Sequence, residues 1–103
     1  MIVRVELTTE VKPGRMADAV AQMQQANRIV ERMAGVTGQL FIVAFGQNAF
    51  GGIRMYYDFP SNEAVGRFND MVDVEWTALV GAVMSPDGPW VLPVSRQQLV
   101  QIV

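Results

Sequence analysis

The stretch VTGQLFIVAFGQNAFGGIRMYYDF, residues 36–59, holds two apolar runs, 36–45 and 50–59, joined by the connector Gly46-Gln47-Asn48-Ala49. Runs rich in Val, Ile, Phe and Tyr bounded by Gly and Asn read as strands, and so short a connector makes them a hairpin. Side chains alternate along a strand with period two, so Leu40 and Ile42 point one way and Phe41, Val43 and Phe45 the other. Both faces of this strand are apolar, and both need a cover. Helices of the same chain supply one cover; a second copy of the chain is the expected source of the other.

Outward from the hairpin, residues 2–11 set Val3, Val5 and Leu7 on one face and Ile2, Arg4, Glu6 and Thr8 on the other. This is a half-apolar strand, broken by Lys12-Pro13-Gly14. Between positions 15 and 34, Met16, Ala19, Val20, Met23, Ala26, Val30 and Met33 recur at spacings of three and four. They form one helical stripe, with Asp18, Gln25, Arg28 and Arg32 opposite and Gly35 as the natural terminator. Asn27 falls inside the stripe and needs a partner or a wet cavity, because burying it unpaired costs ~1–3 kcal/mol.

After the hairpin, Pro60-Ser61-Asn62 opens a second helix with Ser61 as N-cap, and Val65, Phe68, Val72, Trp76, Leu79 and Val83 form its stripe. Asp73-Val74-Glu75-Trp76 reads as a fresh cap with an acid in the next turn, so this helix is expected to break between 70 and 73. Ser85-Pro86-Asp87-Gly88-Pro89 ends it, and a last strand occupies 90–103 with Pro93 marking an edge or a bulge. The order β-α-β-β-α-β defines an α+β, ferredoxin-like antiparallel sheet with two helices on one face, in a single domain spanning 1–103. The uncovered face is expected to show Arg4, Glu6 and Thr8, Arg54, Tyr56 and Asp58, and Arg96 and Gln98, unless bulges at Gly51-Gly52 or Pro93 shift it.

Composition narrows the function classes. A chain of 103 residues supports one core, and with 50% hydrophobic and 17% charged residues it leans toward an oligomer that hides extra surface. The net charge of −2 is spread without a basic stripe, which argues against nucleic acid as a partner. There is no Cys, hence no disulfide or thiol chemistry, and no apolar run approaches the ~20 residues of a membrane span. MIVRVELTTEV lacks the pattern of a signal peptide, and a soluble cytoplasmic protein is the expectation.

With this element order, the Lys12-Pro13-Gly14 opening and the Asp73-x-Glu75-Trp76 segment, the chain resembles the dimeric α+β barrel superfamily, and within it the antibiotic-biosynthesis-monooxygenase-like and NIPSNAP-like groups. The resemblance implies a homodimer in which two open sheet faces meet as a barrel, with a pocket for a small apolar or aromatic ligand. It spans cofactor-independent monooxygenases, haem-degrading enzymes, lactone isomerases and polyketide cyclases, so fold alone does not assign an activity. Haem-degrading members use a His ligand and this chain has no His, so neither cofactor nor metal is expected. The Trp and Asn of the monooxygenase-like members correspond to Trp76 and to Asn62 or Asn27.

Without His or Cys, acid–base work falls to Asp, Glu, Lys or Tyr. Arg54, Tyr56 and Asp58 share one strand face about 7 Å apart and form the candidate catalytic set. An arginine there can hold an anionic oxygen, and a tyrosine can donate to it. Asn27, Trp76, Arg4 and Tyr57 are the candidate substrate-binding residues. Each also has a plainer reading: a charge-compensated network between subunits for the sheet set, core packing for Trp76, a backbone or water partner for Asn27. The seven Met serve equally as adaptable pocket wall or as core filler. Asp70, Asp73 and Glu75 lack the alternating ligands of a calcium loop and read as helix surface and caps. Three functions fit these residues: a cofactor-independent monooxygenase acting on an aromatic or polyketide-like compound, a non-enzymatic ligand-binding or stress-type dimer, or an isomerase or cyclase with Asp58 or Glu6 as base. The last needs a carboxylate raised above its ordinary range.

Overall fold

The computed structural model describes residues 1–46 and 51–102; Gln47, Asn48 and Ala49 of the expected connector, Phe50 and the terminal Val103 lie outside the described residues. The elements are β1 (Val3–Val11), α1 (Met16–Ala34), β2 (Gly38–Ile42), β3 (Gly52–Phe59), α2 (Asn62–Asp70), α3 (Val74–Val83) and β4 (Trp90–Val100). They form one antiparallel sheet in the order β2-β3-β1-β4, with the helices on one face, which is the ferredoxin-like arrangement.

The register of the central pair sorts the side chains. Val3, Val5, Leu7 and Thr9 lie opposite Phe59, Tyr57, Met55 and Ile53, and this row faces the helices. Arg4, Glu6 and Thr8 lie opposite Asp58, Tyr56 and Arg54 on the uncovered face. From α1 the covering residues are Ala19, Met23, Ala26, Ile29 and Val30, as the three-and-four spacing requires, with Ile29 added to the expected stripe. Val3, Val30, Met55 and Val65 are fully buried, and each such side chain contributes about 1.5–3 kcal/mol relative to exposure.

Local signals set the ends of the helices. Gly35 ends α1 with φ 67°, a conformation in which a Cβ would be strained, and its N–H donates to the Glu31 carbonyl at 2.8 Å. The Ser61 hydroxyl accepts from the Ala64 N–H at 3.1 Å and starts α2. The expected break falls at 71–73, where the Asp73 carboxylate accepts from the Trp76 N–H at 2.9 Å and starts α3. Val72, expected on the apolar stripe, sits in this break and is exposed, because a residue between two helices belongs to neither stripe. At the far edge, β4 ends at Val100 rather than at 103.

One expectation is corrected by pairing. Arg96 lies opposite Leu7 and Gln98 opposite Val5, so both stand on the helix face and not with Arg4 and Glu6. The irregularity between Thr8 and Glu10 moves the pairing with β4 by two residues, so that Glu10 lies opposite Val91 rather than Pro93, and therefore keeps the parity of the strand. Arg96 donates to Asn69 at 3.2 Å and Gln98 to Asn62 at 3.1 Å, both on α2.

Gly38 of β2 is required by close approach. A Cβ there would sit 2.6 Å from Tyr57 Cε1 and closer still to the Asn27 side-chain oxygen. Gly38→Ala is expected to cost about 1–3 kcal/mol as an overpacked site. At about 4–8 °C per kcal/mol for a domain of this size, calorimetry will read the loss as a clear drop in Tm.

Candidate functional site

The helices do not fill the space over the sheet. A cavity of about 370 Å³ remains beneath α1, α2 and α3, walled by Val5, Met23, Phe68, Trp76, Leu79 and Trp90 and by other apolar residues. That volume lies within the range of small-molecule sites. Its rim includes Asn69, Met71, Val80, Met84 and Arg96, all exposed. The opening has a structural cause: α1 packs on α3, while the helix-side face of β4 beyond Trp90 is largely exposed.

Aromatic contacts shape the wall. Phe68 stands 5.7 Å from Phe59 and 5.5 Å from Trp76, the latter edge to face. Trp90 is buried, and its indole N–H donates to Gln22 Oε1 at 2.7 Å, which fixes the ring against α1. The roof is clipped by an ion pair: Arg32 of α1 donates to both Asp73 oxygens at 2.8 and 3.0 Å, at the first turn of α3.

Two buried polar atoms have no hydrogen-bond partner among the described residues, the Tyr57 hydroxyl and Asn27 Oδ1. Tyr57 is 3% exposed and lines the cavity; Asn27 packs beside it across Gly38. Burial pushes the Tyr57 hydroxyl well above its ordinary value of 10.0, so it keeps its proton and acts as a donor. An unsatisfied buried hydroxyl costs about 1–3 kcal/mol, which a ligand or water atom would recover.

The sheet divides the residues that the sequence grouped together. Tyr57 and Trp76 line the cavity and Asn27 adjoins it; Arg4, Arg54, Tyr56 and Asp58 stand on the opposite, uncovered face. There Arg4 grips Asp58 through two hydrogen bonds of 2.7 and 2.9 Å, and its guanidinium lies 4.8 Å over the Tyr56 ring. Arg54 approaches Glu6 at 3.5 Å, Thr8 donates to Glu6 at 3.2 Å, and Phe41 packs edge-on to Tyr56. The Arg4 hydrogen bonds hold the Asp58 carboxyl below its ordinary range, the reverse of what a carboxylate base at neutral pH needs. Among the described residues no group of three or more His, Cys, Asp or Glu is placed to hold a metal, and no helix is long and apolar enough to cross a membrane.

Sequence reasoning missed Trp90, Asn69 and Arg96 as parts of the cavity. Period two alone separates Tyr56 from Tyr57, and that signal was available; the position of Arg96 required the pairing with β1.

No family model matches the chain, and no curated protein matches it significantly in sequence. Solved structures match it closely in shape. Rv0793 from Mycobacterium tuberculosis has 12% identity and a TM-score of 0.75, over 100% of this chain and 97% of that one. A candidate antibiotic biosynthesis monooxygenase from Bordetella bronchiseptica has 21% identity and a TM-score of 0.71, over 99% and 98%. An uncharacterized NIPSNAP domain protein from Burkholderia xenovorans has 13% identity and a TM-score of 0.73, over 98% and 94%. The chain therefore shares the ferredoxin-like fold of these solved proteins.

The clip over the cavity has a pH signature. The Arg32 hydrogen bonds, aided by the Trp76 N–H, lower the Asp73 carboxyl from 3.8 to about 2. A lowered folded value means stability that is fully present above pH 3.8 and is lost as pH falls toward 2. Asp73→Ala is expected to lower Tm at pH 7 and to flatten the part of the Tm profile that falls between pH 4 and pH 2, followed by circular dichroism.

Proposed function

We propose that the protein takes a phenolic or polyketide-like aromatic compound into the cavity beneath α3 and oxygenates it with dioxygen and no cofactor. One observation carries the reading: an apolar, aromatic-walled space of about 370 Å³ whose wall includes Tyr57, a buried tyrosine whose hydroxyl has no hydrogen-bond partner among the described residues. Likeness of fold to proteins named for antibiotic biosynthesis monooxygenation supports it.

Such a reaction makes small demands on the protein. A phenol-activated ring methylene loses a proton, and the carbanion passes one electron to dioxygen. The carbon radical and superoxide combine as a peroxide, which takes a proton back from water to become a hydroperoxide, and loss of water leaves a ketone. In sum, one methylene and one dioxygen give one carbonyl and one water. The substrate supplies every electron. The neutral Tyr57 donates to the oxygen on which the negative charge collects, and the dry wall strengthens that bond. Among the described residues no Asp or Glu lines the cavity, so the proton leaves to water at the rim. The same absence favours a second reading, in which the protein binds such a compound without turning it over. The isomerase or cyclase reading loses support, because Asp58 and Glu6 face away from the cavity.

The uncovered sheet face belongs, in this reading, to a second copy of the chain. Phe41 is 51% and Leu99 43% exposed beside a network carrying both signs of charge, a surface suited to a partner with the same surface. Arg54, Tyr56 and Asp58 are thereby assigned to this contact rather than to chemistry.

With an anthrone-type substrate and isotopically labelled dioxygen, one labelled oxygen is expected in the product and one dioxygen consumed per turnover. Tyr57→Phe should lower kcat/KM about 10- to 100-fold while leaving Tm unchanged or raised, since it removes an unsatisfied group. Binding without oxygen uptake would decide for the non-enzymatic reading. In sedimentation velocity the native chain is expected to run as a dimer, and Phe41→Asp to split it into monomers or unfold it; a dimer that survives the substitution would overturn the assignment of this face.

A further inference from the structure

One charged residue lines the cavity, and it is a cation. Arg96 reaches the rim from β4, and among the described residues every other lining residue is neutral. Arg4, Arg15, Arg32 and Arg54 each pair with a carboxylate, whereas Arg96 forms no ion pair among the described residues. Its side-chain partner is the neutral Asn69 Oδ1, at 3.2 Å. Arg28 and Arg67, exposed like Arg96, are also without an ion pair among the described residues, but neither lines the cavity. A chain with ten acidic residues has thus placed none against the one guanidinium at its apolar cavity.

The donors there are unspent. A guanidinium carries five N–H groups, and the bond from Arg96 to Asn69 uses one of them. Because the Asn69 oxygen accepts that bond, its amide N–H groups are left for another acceptor. Two planar donor groups, side by side at the mouth of an otherwise neutral cavity, match the paired oxygens of an anion.

The sheet register gives the span. Arg96 lies opposite Leu7 on one side of β1, and Tyr57 opposite Val5 on the other. By strand spacing and rise their backbones are about 12 Å apart.

We propose that the cavity takes an apolar, ring-bearing monoanion, its charged oxygens held at the rim by Arg96 and Asn69 and its rings lying against Trp76, Phe68 and Leu79. This rests on the cavity being the ligand site. It adds that the ligand is an anion and that Arg96 selects it. The anion can be a carboxylate or an ionised phenol or enol; the shared chemistry is oxygen bearing negative charge on an apolar body. The Tyr57 hydroxyl, deeper in, bonds a second oxygen of the same molecule.

Two fluorescent probes separate these claims. 8-Anilinonaphthalene-1-sulfonate and N-phenyl-1-naphthylamine share one ring body and differ by the sulfonate. Titrated into the full chain, the sulfonate is expected to bind more tightly than the neutral amine. Arg96→Met should weaken the sulfonate about tenfold and leave the amine unchanged, and Arg96→Lys should recover part of the loss. Val80→Trp, on the exposed rim, should block both probes. Equal affinity for the two probes, or Arg96→Met weakening both alike or neither, overturns the anion assignment and leaves the cavity reading standing. Failure of the native chain to bind either probe overturns both. Sulfonate binding that survives Val80→Trp lies outside the cavity and likewise overturns the proposal. The carboxylate and phenol sources are then told apart by displacing the sulfonate with 2-naphthoate or 2-naphthol across pH 6 to 10: naphthoate competes throughout, naphthol only as it ionises. Displacement by neither overturns the assignment of oxygen anions.

Discussion

The pairing of β1 with β3 is the constraint on which the rest of the molecule depends. Its rows set Val3 against Phe59 and Val5 against Tyr57 on one face, and Arg4 against Asp58 and Glu6 against Tyr56 on the other. A slip of one residue would exchange the faces, driving Arg4, Glu6 and Asp58 under the helices and Val3, Met55 and Phe59 into the open. Burying those charges away from water would cost far more than any single packing contact returns, so the register is strongly specified. Two consecutive tyrosines carry its chemical consequence. Tyr56 lies under the Arg4 guanidinium on the uncovered face, while Tyr57 is buried in the cavity wall with its hydroxyl unpaired. Residues adjacent in the chain thus acquire unrelated chemistry.

The cavity arises from how the second helical segment is divided. An unbroken helix would have carried Val72 onto the stripe of Val65 and Phe68; the cap at Asp73 instead restarts the chain as a separate helix tied to α1 through Arg32. Helix α3 is apolar nearly all round, burying Leu79 while leaving Val74, Val80 and Met84 exposed. A helix of that composition usually lies within a core. Here it stands over a space that the sheet and α1 do not fill, and its outer residues form an apolar rim. Trp90, held by Gln22, closes part of the wall that a helix would otherwise cover.

Much of this was legible in the sequence because it rests on short-range rules. Period two in residues 3–11 and 53–59, spacing of three and four in α1, and caps at Gly35, Ser61 and Asp73 are local properties, and each is found where they put it. The face of β4 was not legible, since that strand offers polar residues on both sides: Ser95 and Gln97 one way, Arg96 and Gln98 the other. Grouping Arg96 with Arg4 by polarity presumes a register, which only partners across the sheet define. The cavity was hidden for a related reason. A void is a failure of packing between elements distant in sequence, and no single segment carries its signature. Tyr57 and Trp76, candidate binding residues from the sequence, line the cavity, but the sheet separates them from Arg54, Tyr56 and Asp58, with which polarity and proximity in the chain had joined them.

The division by the sheet also divides the electrostatics, and that bears on the chemistry the fold can support. On the uncovered face, Arg4 with Asp58 and Arg54 with Glu6 neutralise one another at 2.7 and 3.5 Å, so little charge is left over to act on a substrate. On the helix side the walls are mostly apolar, and one guanidinium meets no counter-charge from the described chain. In a low-dielectric space a fixed charge acts at longer range than it does in water. In the proposed reading, an anionic ligand, or one that becomes anionic by losing a proton, is stabilised there by Arg96, while the protonated Tyr57 adds a donor without adding charge. The protein then needs no carboxylate or imidazole of its own inside the cavity. Under the proposed function, a substrate acidic enough to ionise within reach of Arg96 would bring the reactive anion itself, and the fold would contribute an apolar, positively biased container for it.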